Sequence, residues 1–178
     1  MDTKVVTDLD TLRAVAHPLR MRLLGALRTD GPATASELGR RLGETSGSTS
    51  YHLRQLERFG FVGDDDEPGS RRERRWRALH RSTHLPPELW ASPGGREVHA
   101  QFAAQQTEHL RRGLAARAEL DPADAEGPVY GHSDYVVRLD PADASAMLAE
   151  LHAVVERYAD RSGSVPLAVH VLSLPVTA

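Results

Sequence analysis

The chain has 178 residues, 40% of them apolar, with 22 Lys and Arg against 25 Asp and Glu and no Cys. This length suits one or two small domains, and a sequence without thiols excludes disulfide frameworks, cysteine-type zinc sites, iron–sulfur clusters and thiol nucleophiles. The charge is uneven: residues 1–82 carry 15 basic against 12 acidic side chains and residues 83–178 carry 7 against 13, so the two halves have different electrostatic characters.

Thr7-Asp8-Leu9-Asp10 places an N-cap hydroxyl three residues before a carboxylate, which predicts a short helix from about 8 to 16 with Leu9, Leu12 and Ala16 inward. Pro18 suits the first turn of a second helix, whose Leu19, Leu23, Leu24 and Leu27 share one face and which Gly31-Pro32 ends. Thr34-Ala35-Ser36-Glu37 is a capping-box pattern that starts a third helix, buried through Ala35, Leu38 and Leu42. Gly43-Glu44-Thr45 makes a tight turn. Thr45 then caps a fourth helix in which Thr49, Leu53, Leu56 and Phe59 face inward, and Gly60 stops it.

Two helices joined by a three-residue turn containing Gly make the helix-turn-helix pattern, whose second helix can enter a DNA major groove. Phe61-Val62 begins an extended run, Pro68-Gly69-Ser70 turns it, and Trp76-Arg77-Ala78-Leu79 returns with alternating burial, which predicts a hairpin wing. Pro86-Pro87 and Ser92-Pro93-Gly94-Gly95 mark a linker around Leu89-Trp90. A long polar helix follows from about 95 to 119, with Val98, Phe102, Leu110 and Leu114 on a stripe narrow enough to suit docking on a partner. Beyond a break from Asp121-Pro122 to Gly127-Pro128, the tail reads strand, helix, strand. Tyr135 to Leu139 and Leu167 to Leu172 are the strands; the helix between them is capped at Asp140 with Pro141 next. Its stripe of Ala144, Met147, Leu148, Leu151, Val154, Val155 and Tyr158 should pack on both strands.

The expected architecture is therefore mainly α with a small β component. A winged helix-turn-helix occupies residues 1–82, a linker residues 83–94, and residues 95–178 hold a long helix and a small α/β (strand-helix-strand) unit.

Ala16-His17-Pro18-Leu19-Arg20-Met21-Arg22-Leu23-Leu24, Ala35-Ser36-Glu37-Leu38 and the run Ser48-Thr49-Ser50-Tyr51-His52-Leu53-Arg54-Gln55-Leu56-Glu57-Arg58-Phe59-Gly60-Phe61-Val62 resemble the winged-helix domain of ArsR-type bacterial transcriptional regulators. The resemblance covers about residues 8–80. It implies a cytoplasmic homodimer that binds an inverted-repeat operator in double-stranded DNA, usually as a repressor released by an effector. Carried onto this chain, the recognition helix is about Ser46 to Phe59. Ser46, Ser48, Tyr51 and His52 point away from its buried stripe, with Arg54 and Gln55 further along. Hydroxyls near a helix N-terminus suit phosphate, and Tyr51, His52 and Gln55 are long enough to reach base edges. Ser50 aligns with a small residue packed between helices. The bland alternative is a solvated helix face.

Arg71-Arg72-Glu73-Arg74-Arg75-Trp76-Arg77 makes the second wing strand arginine-rich, and Arg75 and Arg77 are the candidate phosphate contacts. Asp64-Asp65-Asp66-Glu67 on the other strand can pair with these arginines across the hairpin and would repel DNA, a departure from a basic wing. All basic residues but Lys4 are Arg, whose fork suits phosphate; codon bias in a GC-rich genome gives the same excess.

The cysteine motif of metal-sensing relatives is absent from Glu37-Leu38-Gly39-Arg40-Arg41. His80 and His84 straddle a strand end and a Pro-rich loop, and His99 and His109 lie too far apart on one helix to share an ion. No metal site or cofactor is assigned; a metal-responsive sensor with histidines from two protomers, and a winged helix used for protein–protein contact, are the alternatives. With no Gly-rich phosphate loop, Gly-x-Ser-x-Gly elbow or His-Glu-x-x-His motif, no catalytic residue and no enzyme is expected. A small organic effector would bind in the tail, where Trp90, Phe102, Tyr130, Met147 and Tyr158 could line a pocket or simply form a core. The longest apolar stretch, residues 167–172, is far short of the ~20 residues of a membrane span. Met1-Asp2-Thr3-Lys4 begins no leader sequence, so a cytoplasmic protein with no membrane partner is the expectation.

Overall fold

A computed structural model of the chain describes residues 3–65, 73–86, 88–92, 94–119, 133–159, 161, 167–174 and 176. The chain divides into one unit ending at His109 and another from Leu110 to Ala178. The first unit is built from β1 (Thr3–Val5), α1 (Leu9–Ala16), α2 (Pro18–Asp30), β2 (Ala33–Thr34), α3 (Ala35–Leu42), α4 (Ser46–Arg58), β3 (Val62–Asp64), β4 (Arg75–Ala78), β5 (Ser82–His84), α5 (Glu88–Ala91) and the N-terminal turns of α6 (Gly95–Ala118).

Local chemistry starts and stops the helices. The cap of α1 is Asp8, whose carboxylate accepts from the Thr11 N–H at 2.8 Å; the expected Thr7 cap is one residue early, because a carboxylate is the better partner for a helix N-terminus. In α2 the His17 ring caps the Leu19 N–H and Pro18 occupies the first position. The capping box of α3 is complete, with Thr34 Oγ1 accepting from the Glu37 N–H and Glu37 Oε2 from the Thr34 N–H. That bond to the Thr34 N–H is the main reason the Glu37 carboxyl sits below its ordinary pKa.

These helices wrap one core of Val6, Leu12, Val15, Leu23, Leu38, Leu53, Leu56, Phe61 and Val62, closed on one side by Trp76. A three-stranded antiparallel sheet, ordered β2-β4-β3, forms the wing and pairs Ala33 with Trp76 and Trp76 with Asp64. The expected wing turn at Pro68-Gly69-Ser70, with Asp66, Glu67, Arg71 and Arg72, lies outside the described residues.

Residues 83–94, expected as a linker, carry part of β5 and all of α5, and Leu85 and Leu89 pack on the core. Strand β5 pairs in parallel with β1, Thr3 opposite Ser82 and Val5 opposite His84. Arg28 of α2 holds this edge in place by donating to the His80 carbonyl at 2.9 Å and to Thr83 Oγ1 at 2.8 Å. Its burial pushes the guanidinium pKa down to about 10. The long helix starts where expected, but Val98 and Phe102 of its first turns are buried in this core rather than held for a partner.

The second unit contains α7 (Pro141–Ala159), which begins with Pro141 as expected. Tyr135 to Leu139 and Leu167 to Leu172, expected as strands, are not strands among the described residues, and all but half-buried Val171 are exposed. No residue of α7 is buried, so its stripe from Ala144 to Tyr158 does not pack on strands. Two β-prone segments supply apolar side chains, but they become a sheet only when a neighbour takes up their backbone N–H and C=O groups. The expected break at Asp121–Pro128 lies outside the described residues.

Candidate nucleic-acid interface

The geometry of the interface is set where α3 meets α4. Gly43 adopts φ 71° and ψ 31°, the left-handed region where a side chain is strained, and its N–H bonds the Gly39 carbonyl. The Glu44 N–H donates to the same carbonyl at 2.8 Å. Thr45 then caps α4, accepting from the Ser48 N–H at 3.2 Å. Inside the crossing, Thr49 is fully buried and donates its hydroxyl to the Thr45 carbonyl at 2.9 Å. Gly39 permits this approach: a Cβ there would stand 2.8 Å from the Glu44 carbonyl oxygen and 3.2 Å from Thr49 Oγ1.

With Thr49, Leu53 and Leu56 buried, α4 turns its opposite side outward. Ser46, Tyr51 and Arg54 are exposed, Tyr51 by 59%, while Ser48 and Gln55 are half-buried. His52 departs from the expectation that it points away from the core. It is half-buried, its ring centroid lies 4.4 Å from that of His17, the N-cap of α2, and Nδ1 is enclosed without a hydrogen-bond partner among the described residues. Burial first, then the nearby Arg20 charge, lowers the His52 pKa, and burial, His52 and Arg20 lower that of His17. A signal for this was in the spacing: His52 is three residues from Thr49 and four from Leu56, the inner margin of the helix. Tyr51 stands edge-on to His52 at 5.1 Å between ring centroids and remains the outward aromatic group.

The wing arginines are largely engaged within the protein. Arg75 donates to the Pro32 carbonyl at 2.6 Å and lies 3.7 Å from both Glu37 and Asp65. Arg77 is exposed, with its Nε bonded to the Asp64 backbone carbonyl at 3.0 Å. Of the four acidic residues expected to pair across the hairpin, Asp65 meets Arg75 and Asp64 meets Arg74, while Asp66 and Glu67 lie outside the described residues. A third acidic partner that no sequence signal marks, Glu57 of α4, meets Arg74 beside Asp64. Between α3, α4 and β4 lies a groove of about 190 Å³, lined by Ala35, Ser36, Ser50, Arg54, Glu73, Arg74 and Trp76. Ser50 therefore sits at the helix–wing junction.

Of the residues that could line an effector pocket or form a core, Phe102 is in the core of the first unit, Met147 is half-buried and Tyr158 is 58% exposed. Tyr130 and the side chain of Trp90 lie outside the described residues. Among the described residues no three His, Asp or Glu side chains are grouped to hold a metal ion, and no helix is long and apolar enough to cross a membrane.

Residues 15–62 match a helix-turn-helix domain family. The match runs from the end of α1 into β3 and contains the whole α3–turn–α4 crossing, so this part of the chain is a helix-turn-helix. No curated protein shows significant similarity to the chain. Among solved structures, the chain is similar to RV1404 from Mycobacterium tuberculosis, with 17% identity over 81% of this chain and 82% of that one and a TM-score of 0.35. It is also similar to transcriptional regulator Tm0710 from Thermotoga maritima (16%, 82% and 80%, 0.34) and to NMB1585, a MarR family regulator from Neisseria meningitidis (14%, 78% and 73%, 0.34).

Proposed function

We propose that the chain is a sequence-specific, double-stranded DNA-binding transcriptional regulator of the ArsR-like kind, working in the cytoplasm as a homodimeric repressor that an effector releases. The observation that carries this is the outward face of α4, where Tyr51 is exposed and Arg54 lines the groove against the wing, on a helix whose other side is anchored through Thr49, Leu53 and Leu56. Ser46 and Ser48 at the helix start suit phosphate oxygens, where free N–H groups and the helix dipole already favour an anion. In the proposal Tyr51 and Gln55 reach base edges, Arg54 a phosphate or guanine, and Arg77 the flanking backbone. His52 has the smaller part, since its ring packs on His17.

In this reading residues 1–82 hold the DNA-binding domain, to which β5, α5 and the first turns of α6 add core residues, and the remainder of the chain to residue 178 dimerises and receives the effector. The exposed apolar side chains of α7 and of residues 135–139 and 167–174 support self-association there. A two-fold dimer would set its recognition helices in successive major grooves, about 34–36 Å apart, on an inverted repeat. No catalytic step is part of the proposal.

A gel shift on the fragment upstream of the chain's own gene tests it. Binding at moderate salt that favours this fragment over scrambled DNA is expected; equal affinity for both sinks specific recognition.

A further inference from the structure

Arg74 stands between the recognition helix and the wing, and its guanidinium is spent on protein groups. Nε and Nη2 face the two carboxylate oxygens of Asp64 on β3, while Nη1 and Nη2 face those of Glu57 near the end of α4. These bonds use all but one of the N–H donors a guanidinium has. The same group lies 3.9 Å over the ring of Trp76, which is 3% exposed and is paired with Asp64 on β3 and Ala33 on β2. Turning Arg74 toward a DNA phosphate would break two bidentate pairs of the strongest hydrogen-bond type to make one, and would leave two carboxylates uncompensated beside the nucleic acid.

We infer that Arg74 is a positioning residue: through Glu57 and Asp64 it fastens the wing to the recognition helix, so that sequence preference depends on a charge triad that touches no DNA. The inference rests on α4 being the helix that reads DNA. Three elements, α4, β3 and β4, converge on this one guanidinium. Lysine cannot replace it, because a point charge on a flexible stem neither forks between two carboxylates nor lies flat on an indole. The two acidic residues, unfavourable for DNA when counted as charges, are favourable as anchors.

The test uses the full chain, the duplex from upstream of its own gene and a scrambled duplex of equal composition. In the double variant Glu57→Gln/Asp64→Asn two negative charges are gone, so electrostatics alone tightens binding to both duplexes. The triad predicts instead that preference for the upstream duplex falls about tenfold, the size of a coupling of roughly 1.4 kcal/mol. Arg74→Lys, which keeps the charge, should lose as much. The single variants Glu57→Gln and Asp64→Asn each keep one bidentate pair and should lose about threefold each. Tighter binding to both duplexes with unchanged preference, or full preference in Arg74→Lys or in both single variants, overturns the inference. Hydrogen exchange of the β3 and β4 amides, measured without DNA, provides a second readout. It should quicken several-fold in Arg74→Lys, and unchanged exchange overturns the triad even if the parent shows no DNA preference, an outcome that would sink the regulator reading instead.

Discussion

Replacing Gly39 by Ala sets two effects of opposite sign against each other. Alanine is the better helix former, and in the middle of α3 the exchange alone would stabilise by about 1 kcal/mol. The new methyl, however, would lie 2.8 Å from the Glu44 carbonyl oxygen and 3.2 Å from Thr49 Oγ1. Neither neighbour can easily retreat: the Glu44 backbone belongs to the turn whose N–H bonds Gly39, and Thr49 is fully buried with its hydroxyl bonded to Thr45. Relief requires α4 to move away from α3 by some tenths of an ångström. Overpacking of this kind costs typically 1–3 kcal/mol, at the upper end where the obstacle is backbone, so the net expectation is a loss of about 1–2 kcal/mol. For a unit of this size that is roughly a 4–16 °C fall in Tm, read by circular dichroism. Gly25→Ala in α2 is the control, because nothing stands within 4 Å of a Cβ there and the propensity gain should survive. A Gly39→Ala protein as stable as the parent, or more so, would refute the claim that this glycine permits the helix crossing.

Other perturbations address the caps and the buried imidazoles. Thr34→Ala removes the acceptor for the Glu37 N–H and should lower stability by about 1 kcal/mol in a denaturant titration; no change would show that the capping box adds nothing to α3. His17 and His52 have depressed pKa values when folded, chiefly through burial. Their contribution is complete above the ordinary imidazole pKa of about 6.5 and is lost as pH falls toward the lowered folded values. Melting temperature should therefore drop on going from about pH 7 to 5, and His17→Asn/His52→Gln should flatten that drop; equal slopes in parent and variant would contradict the assignment. Arg54→Ala, if Arg54 meets a phosphate, should reduce the slope of log affinity against log salt by about 0.9 without altering the choice of sequence.

The helix-turn-helix was legible because its signals are local. Pro18, the Thr34/Glu37 box, Gly43, Thr45 and Gly60 each act within a few residues of where they stand, and the stripe Thr49, Leu53 and Leu56 reports its own burial through helical spacing. The β1–β5 pair was not legible: each strand has three residues, with no room for alternation, and its partner lies 79 residues away. The same limit applies to the site. A helical period puts His52 at the inner margin of α4 but does not show that its ring meets His17, on another element, nor that Glu57 and Asp64 converge on Arg74. In the tail, apolar content alone suggested strands. Backbone pairing is what makes a strand, and among the described residues neither Tyr135 to Leu139 nor Leu167 to Leu172 is one.

The central claim, that α4 reads DNA with the face bearing Tyr51 and Arg54, is most directly tested by hydroxyl-radical footprinting of the upstream fragment with the parent and with Tyr51→Ala. The account predicts two protected patches one helical turn apart for the parent. For Tyr51→Ala it predicts a loss of roughly 1–3 kcal/mol of discrimination against scrambled DNA with the fold intact. Protection that survives Tyr51→Ala and Arg54→Ala unchanged would contradict it.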